Sequence, residues 1–184
     1  MLSAEQIIHY QPSADLLNNR IILITGAGDG IGKAAALACA SVGAKVILAG
    51  RTVTKLELVY DLITAAGQQE PVIYPIDLEG ATVDDYDELC VNIIDQLGRL
   101  DGLLHNAGIL GQRTPLNNYR QDVWNRVMQV NVTAQFQMTQ ALMPALEKSD
   151  DGSIVFTSSS VGQVGRAFWG AYAVSKFAVE GMVQ

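Results

Sequence analysis

From residue 20 to the end, short apolar runs alternate with longer stretches in which apolar positions recur every three or four residues. The runs Ile21–Ile24, Lys45–Ala49, Val72–Tyr74, Gly102–His105 and Ser153–Ser158 predict strands. The periodic stretches Ile31–Val42, Val53–Ala66, Thr82–Leu97 and Asp122–Leu146, and the chain from Ala171 onward, predict helices. Asp84 and Asp85 put negative charge into the first turn of the third helix, where the helix dipole favours it. Strand alternating with helix implies crossover connections and a parallel sheet covered on both faces, and strands that are apolar throughout suit that burial. The predicted fold is therefore α/β, a doubly wound parallel sheet with helices on both faces. Residues 1–19 carry no such pattern and read as an N-terminal arm, with Ser3 capping a short helix to Tyr10 and Pro12 beyond its end.

The pattern does not close. Phe177, Ala178, Val179, Met182 and Val183 read as a helix still in progress, with no glycine, asparagine or proline stop after it. The fifth strand would be left as an apolar edge, which invites aggregation. We expect residues 20–184 to be a domain that is incomplete at its C-terminus, cut after the fifth strand and the start of the next helix.

Composition narrows the partners. Hydrophobic residues make up 49% of the chain and charged residues 17%, which suits a well-buried core. The net charge is −7 and no dense basic run occurs, so nucleic acid is not an expected partner. Cys39 and Cys90 lie among apolar residues in helical stretches, as buried reduced thiols do, rather than in a disulfide or metal pattern. No basic segment precedes an apolar run at the N-terminus, and no apolar stretch is long enough to span a membrane. The expected location is the cytoplasm.

Thr25-Gly26-Ala27-Gly28-Asp29-Gly30-Ile31-Gly32 joins the first strand to the first helix. Glycines there let a pyrophosphate approach the backbone, and the helix start offers free N–H groups to the anion. A tight turn would need glycines too, but the placement between an apolar strand and a helix points to a Rossmann-like dinucleotide site. Lys33 is not followed by Ser or Thr, and the spacing does not fit a P-loop. At the end of the second strand, Ala49 and Gly50 stand where NAD-preferring sites place a carboxylate, and Arg51 and Thr52 follow. Arg51 has the planar fork to grip a 2′-phosphate, so NADP is favoured over NAD, although Arg51 could also be a solvated loop residue. Asp77, after the third strand, is placed to accept from an adenine amino group or to cap the next helix.

Tyr172 and Lys176 are four apart, and on a helix they share a face. A free phenol titrates near pH ~10, too high for a base at neutral pH, and a nearby ammonium favours the phenolate. Such a pair also arises by chance, and only the glycine turn upstream gives it weight. Thr157-Ser158-Ser159-Ser160 ends the fifth strand, where a hydroxyl can donate to a carbonyl oxygen as charge develops, or simply form a turn. Asn106-Ala107-Gly108 ends the fourth strand in the same crevice. Asn131 sits inside a helical stretch, where asparagine either marks a local bulge with a polar task or is merely exposed.

Taken together these residues resemble the short-chain dehydrogenase/reductase family. T-G-x-x-x-G-x-G matches Thr25–Gly32. N-N-A-G matches His105–Gly108, with histidine in the first place. S-x-x-G matches Ser159–Gly162, and Y-x-x-x-K matches Tyr172–Lys176. Tyr172 lies 13 positions after Ser159, the family's usual interval, which selects Ser159 over its neighbours. Gly165–Lys176 further resembles the YciK-type bacterial oxidoreductases within that family. The resemblance implies NADP-dependent hydride transfer on an alcohol or carbonyl substrate. Tyr172 would be the general acid/base. Lys176 would hold the nicotinamide ribose and favour the phenolate, and Ser159 would polarise the carbonyl. Asn131 would position a water linking Lys176 to solvent. Gly26, Gly30, Ile31 and Gly32 would hold the pyrophosphate, Arg51 the 2′-phosphate, Asp77 and Leu78 the adenine, and Asn106, Ala107 and Gly108 the ribose side, with Thr52, Tyr172 and Lys176 also among the cofactor-binding residues. It also implies a homodimer or homotetramer, and it implies further strands, a loop against the nicotinamide and a substrate lid that this sequence does not contain. That shortfall leaves a second reading, a non-catalytic dinucleotide-binding or interaction module, and a third, a fragment that folds only within an oligomer.

Overall fold

The computed structural model describes residues 10–184, so the expected helix from Ser3 lies outside the described residues. Strands β1 (Ile21–Thr25), β2 (Lys45–Gly50), β3 (Val72–Pro75), β4 (Gly102–His105) and β5 (Ser153–Phe156) form one sheet in the order β3-β2-β1-β4-β5. Every neighbouring pair is parallel. Helices α1 (Gly30–Ser41) and α2 (Val53–Ala65) cover one face. Helices α3 (Val83–Leu97) and α5 (Ala134–Leu146) cover the other, with α4 (Gln121–Met128) before α5 and α6 (Gly170–Val183) after β5.

Alternation along each strand explains the continuous apolar runs. Leu23, Ile47 and Leu103 join a core with Tyr86, Leu89, Met138 and Leu142. Their neighbours Ile24, Val46 and Leu48 join the opposite core with Ala36, Ala40, Leu56, Val59 and Ile63. Both faces exclude water, so no polar position interrupts the strand. At the N-terminal edge of the sheet the buried Asp101 carboxylate ties several segments together. It accepts from Ile21 N at 2.9 Å, Arg99 Nε at 2.9 Å, Arg20 Nη1 at 3.2 Å and Ser149 Oγ at 2.6 Å. Burial pushes this carboxyl up, but hydrogen bonds from Arg99, Ser149, Ile21 and Arg20 together hold it below the usual carboxylate range.

Two elements differ from expectation by more than one residue at an end. The fifth strand stops at Phe156, before Thr157 and Ser158, because the chain turns there toward a short 3-10 turn, Ser160–Gly162. The single helix expected over Asp122–Leu146 is α4, a π-turn at Gln129–Thr133, and α5. The strand order runs outward from β1 in both directions. A crevice therefore opens at the C-terminal ends of β1 and β4, the switch point at which such sheets take ligands.

Candidate active site

Thr25 closes β1 with its hydroxyl turned toward β4. Its Oγ1 donates to Leu104 O at 3.3 Å and accepts from Asn106 N at 3.0 Å and Ala107 N at 3.1 Å. Asn106 Nδ2 donates back to Thr25 O at 3.1 Å. The two strand ends are thus sewn together at the switch point. Gly26 follows with φ 67°, and a Cβ there would come within 3.0 Å of Asn106 Nδ2. A Cβ at Gly32 would stand 2.2 Å from Gly26 O. The turn can curl onto the start of α1 only because neither position carries a side chain. Asp29 caps that helix, its Oδ1 accepting from Gly30 N at 2.8 Å.

A cavity of about 470 Å³ opens beside this turn. Of the cofactor residues expected from the sequence, it brings together Gly26, Gly30, Arg51, Thr52, Asp77, Leu78, Asn106, Ala107 and Gly108. Ile31 is not in its wall, since its side chain is turned out to solvent, and Gly32 packs behind the turn. Asp77 Oδ1 accepts from Glu79 N at 3.2 Å. The alternative in which Asp77 caps the next helix is not realised. Thr82 caps α3 instead, its Oγ1 accepting from Asp85 N at 3.4 Å while the Asp85 carboxylate accepts from Thr82 N at 2.7 Å. Arg51 is exposed and makes no ion pair among the described residues. The wall also contains Asp29 of the glycine turn, Ala49 and Gly50 at the end of β2, and Lys55 and Ile109, which the sequence motifs did not single out. Lys55 Nζ lies 2.6 Å from Asp29 Oδ2, a pairing between the glycine turn and α2 that no local pattern reveals.

At the far side of Gly108 stand Asn131 and Lys176, with Tyr172 beside the lysine on α6. Asn131 lies in the π-turn and is fully buried, which excludes the merely exposed reading. Its Oδ1 accepts from Ile109 N at 2.8 Å, and its Nδ2 donates to Ile109 O at 2.9 Å and to Ser175 Oγ at 3.0 Å. The bulge thus has a polar task, pinning the segment after β4 against α6. Ser175 Oγ in turn donates to Tyr172 O at 2.7 Å. Lys176 is 3% exposed, and its Nζ donates to Thr157 O at 2.6 Å. The same Nζ lies 5.6 Å from the centre of the Tyr172 ring, the shared helical face made concrete. Burial holds the Lys176 ammonium below the usual lysine range.

Tyr172 is half-buried, with the Trp169 ring 5.9 Å away and the Arg113 guanidinium 5.1 Å above that indole. Ser159 caps the 3-10 turn, its Oγ accepting from Val161 N at 3.5 Å. A Cβ on Gly162 would stand 2.9 Å from Lys176 O, so the close packing of this turn on α6 depends on glycine. His105 takes no part in the opening. It is buried, stacks on Phe156 at 4.7 Å and shares a 2.8 Å hydrogen bond with Thr139 Oγ1. Burial drives its pKa down to about 3, so the ring is neutral.

Comparison with known proteins places this geometry. The family model described as short chain dehydrogenase matches residues 20–184. The oxidoreductase YciK of Escherichia coli (strain K12) is 54% identical over 177 residues, covering 96% of this chain and 70% of that protein. A short chain dehydrogenase structure from Pseudomonas syringae superposes with a TM-score of 0.93 at 54% identity, covering 95% of this chain and 72% of that one. One from Escherichia coli CFT073, crystallised in complex with NADPH, superposes with a TM-score of 0.91 at 55% identity, covering 94% and 72%. The order of motifs, the sheet and these similarities agree, and the chain belongs to the short-chain dehydrogenase family.

Proposed function

We propose that residues 20–184 form the dinucleotide-binding and catalytic domain of an NADP-dependent oxidoreductase, which transfers a hydride between nicotinamide and an alcohol or carbonyl compound. The position of Gly108 carries this reading. Gly108 walls the cavity, and a Cβ built on it would lie 3.3 Å from Asn131 Oδ1 and 4.0 Å from Lys176 Nζ. The cavity therefore ends where the lysine–tyrosine pair begins.

The residues present fit the cofactor. Gly26, Gly28 and Gly30 carry no side chain where a pyrophosphate would approach, the start of α1 lies in the cavity wall, and no carboxylate ends β2. Gly26 and Gly30, with the backbone of Ile31 and Gly32, would hold the pyrophosphate. Arg51 and Thr52 would hold the 2′-phosphate, Asp77 and Leu78 the adenine, and Asn106, Ala107 and Gly108 the ribose side. The nicotinamide, when bound, supplies or accepts the hydride. In the reducing direction the Tyr172 phenol donates its proton to the carbonyl oxygen as the carbon gains hydride, and the Lys176 ammonium steadies the phenolate left behind. Ser159 polarises the same oxygen. The Asn131 amide is committed to Ile109 and Ser175, so its first task is to hold the segment after β4 against α6. The second lone pair of its Oδ1, or the backbone of the π-turn, would hold a water beside Lys176.

The same reading includes a homodimer or homotetramer. Phe136 and Met143 on α5 and Val174 and Phe177 on α6 are exposed apolar surface that pairing would cover, and sedimentation tests it. It also includes a cytoplasmic location, which suits the free thiols of Cys39 and Cys90.

The function is tested by calorimetric titration with NADPH and NADH, followed by turnover on a panel of ketones and aldehydes. NADPH should bind more tightly. Tyr172→Phe should lower turnover about 10³-fold, as loss of a general acid does, with cofactor affinity nearly unchanged. Tighter NADH binding reverses the cofactor assignment, and turnover that survives the substitution removes the mechanism.

A further inference from the structure

Lys55 and Asp29 meet at the mouth of the cavity. Asp29 Oδ1 is taken by Gly30 N, and Oδ2 faces Lys55 Nζ at 2.6 Å. Both side chains remain largely in water, 52% exposed for Lys55 and 73% for Asp29. The contact is built into the fold, because a Cβ on Gly28 would come within 2.9 Å of Lys55 Cβ, so the glycine turn and the first turn of α2 touch at this point. Lys55 shares the cavity wall with Arg51 and Thr52. Thr52 is the N-cap of α2, yet its side chain makes no capping hydrogen bond, and the first turn of α2 holds no acidic residue. Two cations and a free hydroxyl thus surround a helix start, and one of the cations is lent to a carboxylate across the gap.

An exposed ion pair of this kind is weak and opens cheaply. A phosphate monoester carries roughly −1.5 to −2 charge at neutral pH and three acceptor oxygens, so it competes well with one carboxylate for the ammonium. A ribose hydroxyl does not. The geometry points to Lys55 as a second selector of the phosphorylated dinucleotide: it leaves Asp29 for the 2′-phosphate, beside Arg51, and Asp29 is the counter-ion it leaves. Asp29 sets the threshold of the exchange, since only a ligand with the extra phosphate offers Lys55 a better partner. This rests on the NADP reading above.

The test is calorimetric titration of the wild-type chain, Lys55→Gln, Asp29→Asn and the double variant with NADPH and NADH. Adenosine 2′,5′-bisphosphate and AMP serve as probes that lack the nicotinamide. Lys55→Gln should weaken NADPH and the bisphosphate about tenfold, the loss of one charge-assisted contact, and weaken NADH and AMP less than about twofold. Asp29→Asn keeps the helix cap, because asparagine accepts from Gly30 N equally well, and should tighten the phosphorylated ligands about threefold. In the double variant the loss should persist. If Lys55 served only to neutralise Asp29, Lys55→Gln would weaken both classes of ligand by the same factor and the double variant would recover, and either result overturns the proposal. Wild-type protein that binds none of the four ligands removes the proposed function itself. Unchanged thermal melting shows that these exposed substitutions leave the fold intact.

Discussion

At the glycine-turn end of the crevice the charged side chains stand in water: Arg51 is exposed, and the Lys55–Asp29 pair is solvated on both sides. At the other end Lys176 and Asn131 are buried, and their polar atoms are assigned to Thr157, Ile109 and Ser175. The two ends suit different tasks. Solvated charges can change partners at little cost, which suits a region that grips and releases an anion. Buried groups with fixed partners hold an angle and a distance, which suits proton transfer at one position. Substitutions at the buried end should therefore disturb stability along with activity, and those at the open end should move affinity alone.

The largest effect that sharpens this contrast is in pH. The folded value for His105 is about 3, below its unfolded value of 6.5, so the unfolded chain takes up the proton first. Stability from this residue is full above pH 6.5 and falls as the pH drops toward 3. Between pH 6.5 and about 4 the loss amounts to about 3 kcal/mol. The carboxylates held below their usual range, such as Asp101, add their own loss only at lower pH. Urea unfolding at several pH values should show this slope in the wild type and a flatter one in His105→Asn. Equal slopes would mean that the His105 ring is open to water and that the core behind the crevice is not sealed as described.

Asn131→Ala is a smaller effect of the same kind. It strips partners from Ile109 N and O, and we expect a loss of about 2 kcal/mol in unfolding free energy together with a drop in turnover. Turnover that falls with no change in stability would show that the asparagine acts on the chemistry and not through the segment it holds.

The strands were legible because both faces of the sheet are covered, so β1 to β4 read as unbroken apolar runs. The glycine turn, the segment after β4 and the Tyr172–Lys176 pair were legible because each is local, set by a spacing of a few residues. What was not legible depends on contacts between distant segments. Helical periodicity carries through Gln129–Thr133, since an i→i+5 turn shifts the pattern only slightly, so the bulge that buries Asn131 left no clear signal beyond a polar residue in an apolar stretch. Thr157 looked like strand, but its carbonyl is the partner of Lys176, and only the packing of α6 shows that. Asp29 and Lys55 belong to different elements, and their meeting depends on how closely Gly28 lets α2 approach. Asp77 had two readings that local sequence could not separate, and the capping box at Thr82 decides against one of them.

The smallest effect tests the open end directly. Arg51 has no acidic partner among the described residues, so removing it orphans nothing and Arg51→Ala should leave the melting temperature within about 1 °C. Its guanidinium fork offers paired donors to a phosphate, and losing them should weaken NADPH about tenfold while NADH changes little. Arg51→Lys separates charge from shape. A lysine keeps the charge but not the fork, so a variant that recovers only part of the affinity supports planar two-pronged contact, and full recovery means that net charge alone selects the dinucleotide. A fall in melting temperature comparable to that of Asn131→Ala would break the contrast from this side, because it would show the solvated end bearing the fold as the buried end does.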